Sequence, residues 1–106
     1  MRTRCRRRCA RHWRALARSN EAQNYVEHLR RDTFPALEQI AGFVDASILR
    51  RTVPIGVEFV IVTRWASLEA SETFAGSDPE RAVVPPNVVA MMIEYDQRVK
   101  HFDVLS

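Results

Sequence analysis

Residues 56–65 read Gly-Val-Glu-Phe-Val-Ile-Val-Thr-Arg-Trp, and the way this stretch folds decides the rest of the chain. It is rich in β-branched and aromatic residues, so it is expected to be a strand. Side chains of a strand alternate between two faces, which puts Val57, Phe59, Ile61, Thr63 and Trp65 on one side. Val60 and Val62 fall on the other side and are also apolar. A strand apolar on both faces has to be covered twice.

Working outward, 42–52 (GFVDASILRRT) is a second strand-forming run, separated from the first by Val-Pro-Ile-Gly at 53–56. Pro54 and Gly56 there suggest a short hairpin turn, so the two strands are expected to pair antiparallel. Upstream, 9–17 (CARHWRALA) alternates as well, with Ala10, His12, Arg14 and Leu16 opposite Arg11, Trp13, Ala15 and Ala17. Between these strands, Ala22, Tyr25, Val26 and Leu29 recur at helical spacing, with Asn20 and Gln23 placed as a capping box. Pro35 interrupts this pattern and restarts it, so a kinked helix is expected over about 20–40.

Downstream, Ser67 is placed to cap a helix that Gly76 ends. A further helix is expected from Asp78 and Pro79. Another is expected over 85–95 (PPNVVAMMIEY), where Val88, Val89, Met92 and Ile93 form a stripe. The run 98–105 (RVKHFDVL) alternates and closes as a strand. The order is then β-α-β-β-α-β, a ferredoxin-like α+β fold whose antiparallel sheet carries its helices on one face. With no segment left to cover the other face, the expected cover is a second copy of the chain, giving a homodimer joined through its sheet faces.

Charge sharpens this picture. Apolar residues make up 46% and charged residues 27% of the 106, which is globular composition and sufficient for one domain. The net charge of +3 is unevenly spread: eight of the 16 basic residues lie in 1–18, and every one of the 13 acidic residues follows Ser19. A mildly acidic body therefore carries a basic front. Residues 1–8 are expected to be a disordered basic tail, with the domain over 9–106. The body offers no phosphate-binding face or stacking platform, so nucleic acid is not an expected partner. No apolar run approaches the roughly 20 residues of a membrane span, and a soluble cytoplasmic protein is expected. Cys5 and Cys9, with His12, are too few ligands for a structural zinc site, and no metal is expected.

The segments GFVDASILRR, VEFVIVTRWASLEASETFAGSDPERAVVPP and VKHFDV together resemble the antibiotic biosynthesis monooxygenase-like group of the dimeric α+β barrel superfamily, over about 13–104. The resemblance implies a homodimer with a ferredoxin-like fold. It also implies a small-molecule-transforming enzyme similar to cofactor-independent monooxygenases, acting on aromatic or polyketide-like substrates. In such enzymes a phenol reduces oxygen through its own deprotonated ring, so no cofactor is implied. The haem-degrading members add a strand-one Asn and a second-helix His. Here strand one carries His12 and Trp13, and 67–76 contains no histidine, which argues against haem degradation.

Trp65 sits where the resemblance places a tryptophan at the end of strand three, and its indole N–H could reach a substrate oxygen. A core or interface role suits it as well. His101 is a candidate base and Arg14 a candidate stabiliser of a phenolate or carboxylate. His12, Trp13, Phe59, Met92 and Tyr95 are candidate substrate-binding residues, with Met92 and Tyr95 on an adaptable helical roof. The competing reading is a non-catalytic homodimeric binding or stress-associated protein, in which the same side chains fill the core.

Overall fold

The computed structural model describes residues 8–76, 78 and 80–105. Four strand positions form one antiparallel sheet. β1 (Cys9–Ala17) pairs with β3 (Gly56–Trp65), which pairs with β2 (Phe43–Val53). The other edge of β1 is shared by β4 (Met92–Tyr95) at Ala15–Ala17 and β5 (Lys100–Asp103) at Cys9–His12. The ferredoxin-like order is thus present, with its last strand broken in two.

The break has a hydrogen-bonding cause. Between β4 and β5 the chain leaves the sheet to meet the 80–82 segment, where Val99 N–H donates to the Glu80 carbonyl (2.8 Å) and Ala82 N–H to that of Gln97 (3.2 Å). Trp13 Nε1 closes the gap by donating to the Asp96 carbonyl at 2.8 Å.

Two helical expectations are corrected here. The helix expected over 85–95 is only one turn, α4 (Pro86–Val89), after which Met92–Tyr95 is strand. The amides and carbonyls of Ala15–Ala17 need partners along the free edge of β1, and 92–95 supplies them, overriding the helical stripe. The helix expected from Asp78 does not form. Asp78 Oδ1 instead accepts the Glu80 N–H at 3.2 Å, a side-chain turn that competes with helix. Ser77 and Pro79 lie outside the described residues.

The expected kinked helix is a 3₁₀ turn (Ser19–Glu21), α1 (Ala22–His28), a π turn (Leu29–Thr33) and α2 (Phe34–Glu38). Pro35 explains the π turn: it has no N–H to donate, and its ring would press on the Arg31 carbonyl in an α geometry. Phe34 N–H donates to the Leu29 carbonyl, five residues back. The capping box of Asn20 and Gln23 is absent, and Asn24 donates to Glu21 Oε1 instead. α3 (Leu68–Ala75) forms as expected, with Ser67 Oγ accepting from Ala70 N–H at 3.2 Å and Gly76 at φ +86° ending it.

The hairpin loop is Pro54-Ile55, with Val53 facing Gly56 in register. Gly56 is therefore a strand residue, and its lack of a side chain serves a close approach, since a Cβ there would lie 2.3 Å from the Ala17 carbonyl oxygen.

Helices cover one sheet face. The core joins Trp13, Ala15, Phe59 and Ile61 of the sheet to Tyr25, Val26 and Leu29 of the helical layer. The other face carries Leu49 (53% exposed), Phe102, half-buried Val60, and a charged row in which Glu58 accepts from both Arg14 and Arg51. Of the basic tail expected over 1–8, residues 1–7, including Cys5, lie outside the described residues. The Arg8 carbonyl accepts from Val104 N–H at 2.9 Å. No helix among the described residues is long and apolar enough to cross a membrane.

Candidate functional site

A cavity of about 60 Å³ lies between the sheet and the helical layer. Its floor is Arg11 and Trp13 of β1 with Ile61 and Thr63 of β3. Tyr25, His28, Leu29 and Phe34 form its roof, and Phe74 and Val83 close one side. Strand alternation puts Arg11 and Trp13 on one face of β1, and antiparallel register sets Thr63 and Ile61 directly opposite them. Helical spacing brings Tyr25, His28 and Leu29 over this floor.

Four polar groups face or border the space. Arg11 is 6% exposed; its Nη2 donates to the Arg81 carbonyl at 2.7 Å and its guanidinium sits 4.9 Å from the centre of the Phe74 ring. Its Nε is buried without a hydrogen-bond partner among the described residues. Burial pulls the Arg11 pKa down to about 10, partly offset by Cys9, so the group remains a cation at neutral pH. His28 is buried, with Nδ1 3.3 Å from Asp32 Oδ2 one turn along and 3.5 Å from Asn87 Nδ2. Tyr25 is 2% exposed, and burial pushes its phenol pKa well above the ordinary value, keeping it a neutral hydroxyl. Thr63 Oγ1 accepts from Trp65 Nε1 at 3.0 Å.

This arrangement can pair a buried imidazole, backed by a half-exposed carboxylate outside the cavity, with a fixed positive charge at its wall. Among the described residues no group of three or more His, Cys, Asp or Glu is placed to hold a metal ion.

Of the residues singled out from the sequence, Trp13 lines the cavity. Trp65 is fully buried just behind it, packed on Phe43 and Phe74. Phe59 is fully buried against Tyr25, ring centres 5.0 Å apart. His101 faces Arg11 across the β1–β5 register; its Nε2 lies 2.9 Å from Ser71 Oγ, and its Nδ1 is buried without a partner. Burial, then the Arg11 charge, lower the His101 pKa, with Glu80 opposing. Met92 and Tyr95 are on β4 rather than a helical roof; Met92 is core, and Tyr95 lies 6.1 Å from Trp13, ring centre to ring centre.

Arg14 and His12 project from the opposite sheet face, Arg14 to Glu58 and to Glu94 (3.4 Å), His12 against Phe102. The structure therefore does not bring Trp65, His101, Arg14 and Met92 around one cavity. Sequence reasoning singled out neither Arg11 nor His28, and placed Tyr25 only on the apolar stripe of the first helix. The signal for Arg11 was available: it is the one charge on the β1 face shared by Trp13, Ala15 and Ala17, hidden by the arginines around it.

No protein-family model matches the chain, and no curated protein matches it in sequence. Among solved structures, a Bacillus cereus protein provisionally named an antibiotic biosynthesis monooxygenase superposes with a TM-score of 0.64 at 22% identity. The match covers 94% of this chain and 95% of that one. The heme-degrading protein of Mycobacterium tuberculosis, in its heme-free form, superposes with a TM-score of 0.57 at 20% identity and 94% coverage of both chains. These similarities show that the chain has the fold of the antibiotic biosynthesis monooxygenases and their heme-degrading neighbours, an antiparallel α+β sheet of ferredoxin-like order.

Proposed function

We propose that the protein is a small-molecule-transforming enzyme of the monooxygenase-like kind, acting on an aromatic substrate in the cavity beneath the helical layer. The observation that carries this reading is the buried His28, held by Asp32, at the wall of a cavity lined largely by apolar and aromatic side chains. Imidazole is the side chain most often used to take a proton, and a carboxylate on its other nitrogen orients it. His28 removes the proton of a substrate phenol, and the Tyr25 hydroxyl, kept protonated by burial, is the donor for the resulting oxyanion. The electron-rich ring then reduces molecular oxygen: one atom of O₂ is added at a ring carbon and the other leaves as water with the two hydrogens lost from the phenol, converting it to a quinone. Phenol plus O₂ gives quinone plus H₂O, so no further reductant is required.

Size sets a condition. An apolar cavity near 150 Å³ admits benzene, so at about 60 Å³ this one takes a ring only when a wall moves outward. The wall includes Leu29 and Thr33 of the π turn, and such turns concentrate at functional sites. The residues do not fit a haem, because the space is far too small to admit a macrocycle.

The working unit in this reading is a homodimer joined through the outer sheet face. Leu49, Val60 and Phe102 supply its apolar contacts, and burying them needs roughly 1,600 Å² of interface. Light scattering after gel filtration tests this, with Leu49→Arg expected to give monomer.

Incubation with a polycyclic phenol under oxygen tests the activity. One O₂ consumed per quinone formed is expected, with kcat lowered roughly 100-fold or more by His28→Gln at unchanged circular dichroism. Saturable binding without oxygen uptake across a panel of phenols would instead establish the non-catalytic binding protein. That second reading is favoured by the complete burial of Trp65 and Phe59 as core.

A further inference from the structure

Arg11 is hard to explain as packing. A guanidinium buried to 6% exposure normally faces a carboxylate, because an unpaired charge in a low-dielectric interior is costly. Among the described residues its neighbours are one neutral carbonyl, that of Arg81, the face of Phe74 and the Cys9 thiol two residues back, none of them a carboxylate. Its Nε has no hydrogen-bond partner among the described residues. The ion pairs seen among the described residues lie elsewhere, in the Arg14–Glu58–Arg51 row, between Arg64 and Asp45, and around Asp78 and Asp32. Arg11 nonetheless lines the cavity, beside Trp13, Tyr25, Ile61 and Phe34.

A buried cation at the wall of a cavity with apolar and aromatic sides is complementary to one kind of molecule: an arene or other flat apolar body bearing a permanent negative charge. Carboxylate matches guanidinium best, since planar N–H donors and carboxylate oxygens align in charge-assisted hydrogen bonds.

We infer that the cavity binds an aromatic carboxylic acid as its anion, the carboxylate held by Arg11 and the ring lodged between Trp13 and the Tyr25–Phe34 wall. The inference rests on the cavity being the substrate site, and it names the class of that substrate: a hydroxyaryl acid, with one group for Arg11 and a phenol for His28.

Calorimetric titration of the intact protein with benzoate and with benzamide, its neutral near-isostere, tests this. Benzoate is expected to bind at least tenfold more tightly than benzamide. Arg11→Met is expected to remove that preference while keeping benzamide binding, and Arg11→Lys to retain part of it. The comparison of the two ligands on the unaltered protein stands even where a variant fails to fold. Equal affinity for the two ligands, a preference that survives Arg11→Met, or no binding of either overturns the inference. A benzoate preference with no oxygen uptake on hydroxynaphthoic acids leaves it standing while the oxygenase reading falls. Turnover of a neutral naphthol with no benzoate preference does the reverse.

Discussion

Ser71 Oγ lies 2.9 Å from His101 Nε2, a contact that ties α3 to the last strand, with Ser71 fully buried. The His101 pKa is lowered in the fold, by burial first and the Arg11 charge second, so the folded state holds the proton less tightly than the unfolded chain. Stability from this group is complete above about pH 6.5, the ordinary value for an unfolded histidine. It falls as pH drops below that and the unfolded state takes up the proton, levelling once the folded ring is protonated too. His12 has the same sign, through burial, then Arg64 and Lys100. The urea midpoint is therefore expected to fall between pH 7.5 and 5, and His101→Gln to flatten part of that slope; an identical slope in the variant would refute the assignment.

Gly56 has the sharpest steric requirement. A methyl there would meet the Ala17 carbonyl oxygen at 2.3 Å and Ile93 Cδ1 at 3.1 Å, and a backbone atom cannot swing aside as a side-chain tip can. Gly56→Ala is expected to destabilise by roughly 1–3 kcal/mol, the range for overpacking in a tight site. Chemical denaturation measures it, and a change under about 0.5 kcal/mol, typical of unconstrained surface sites, would contradict the close approach.

Ser67 caps α3 through Ala70 N–H. Ser67→Ala is expected to cost about 1 kcal/mol. In a domain of this size that lowers the melting temperature by roughly 4–8 °C. Ser67→Asp, which keeps an acceptor and places a negative charge at the helix start, is expected to restore most of the loss.

Trp65 and Thr63 form a buried pair, Thr63 on the cavity floor and Trp65 just behind it. Trp65→Ala is expected to destabilise by roughly 3–5 kcal/mol by opening a core void. Thr63→Val keeps the shape but leaves the indole N–H unpaired, at a cost of about 1–3 kcal/mol. If Thr63→Val proves neutral by thermal melting, the 3.0 Å hydrogen bond contributes nothing to the fold.

Much of the fold was legible because it follows from short-range periodicity. The two-residue alternation of 9–17 and 56–65 marks strands in sequence, and the Ser67 cap and Gly76 stop mark α3 without reference to any distant residue. The failures cluster where a distant requirement wins. Met92–Tyr95 has a helical stripe, yet it is drawn into the sheet by the unpaired edge of β1, some 75 residues earlier in the chain. The 78–84 segment reads as a capped helix, yet the Asp78 side chain closes a turn on Glu80 N–H and the following residues bond to 97–99.

The candidate site was less legible for the same reason. Local pattern assigns Arg11 to one face of β1 and Arg14 to the other, but gives no sign of which face the helices will cover. The sequence by itself determined β1, β2, β3, β5, α3 and the order β-α-β-β-α-β, because those depend on backbone geometry within a few residues. Only the tertiary structure decided that Arg11, Trp13, His28 and Thr63 meet around one cavity while Arg14 and His12 turn away. That outcome depends on sheet register and on the packing of the π-interrupted helix, and neither is encoded at short range.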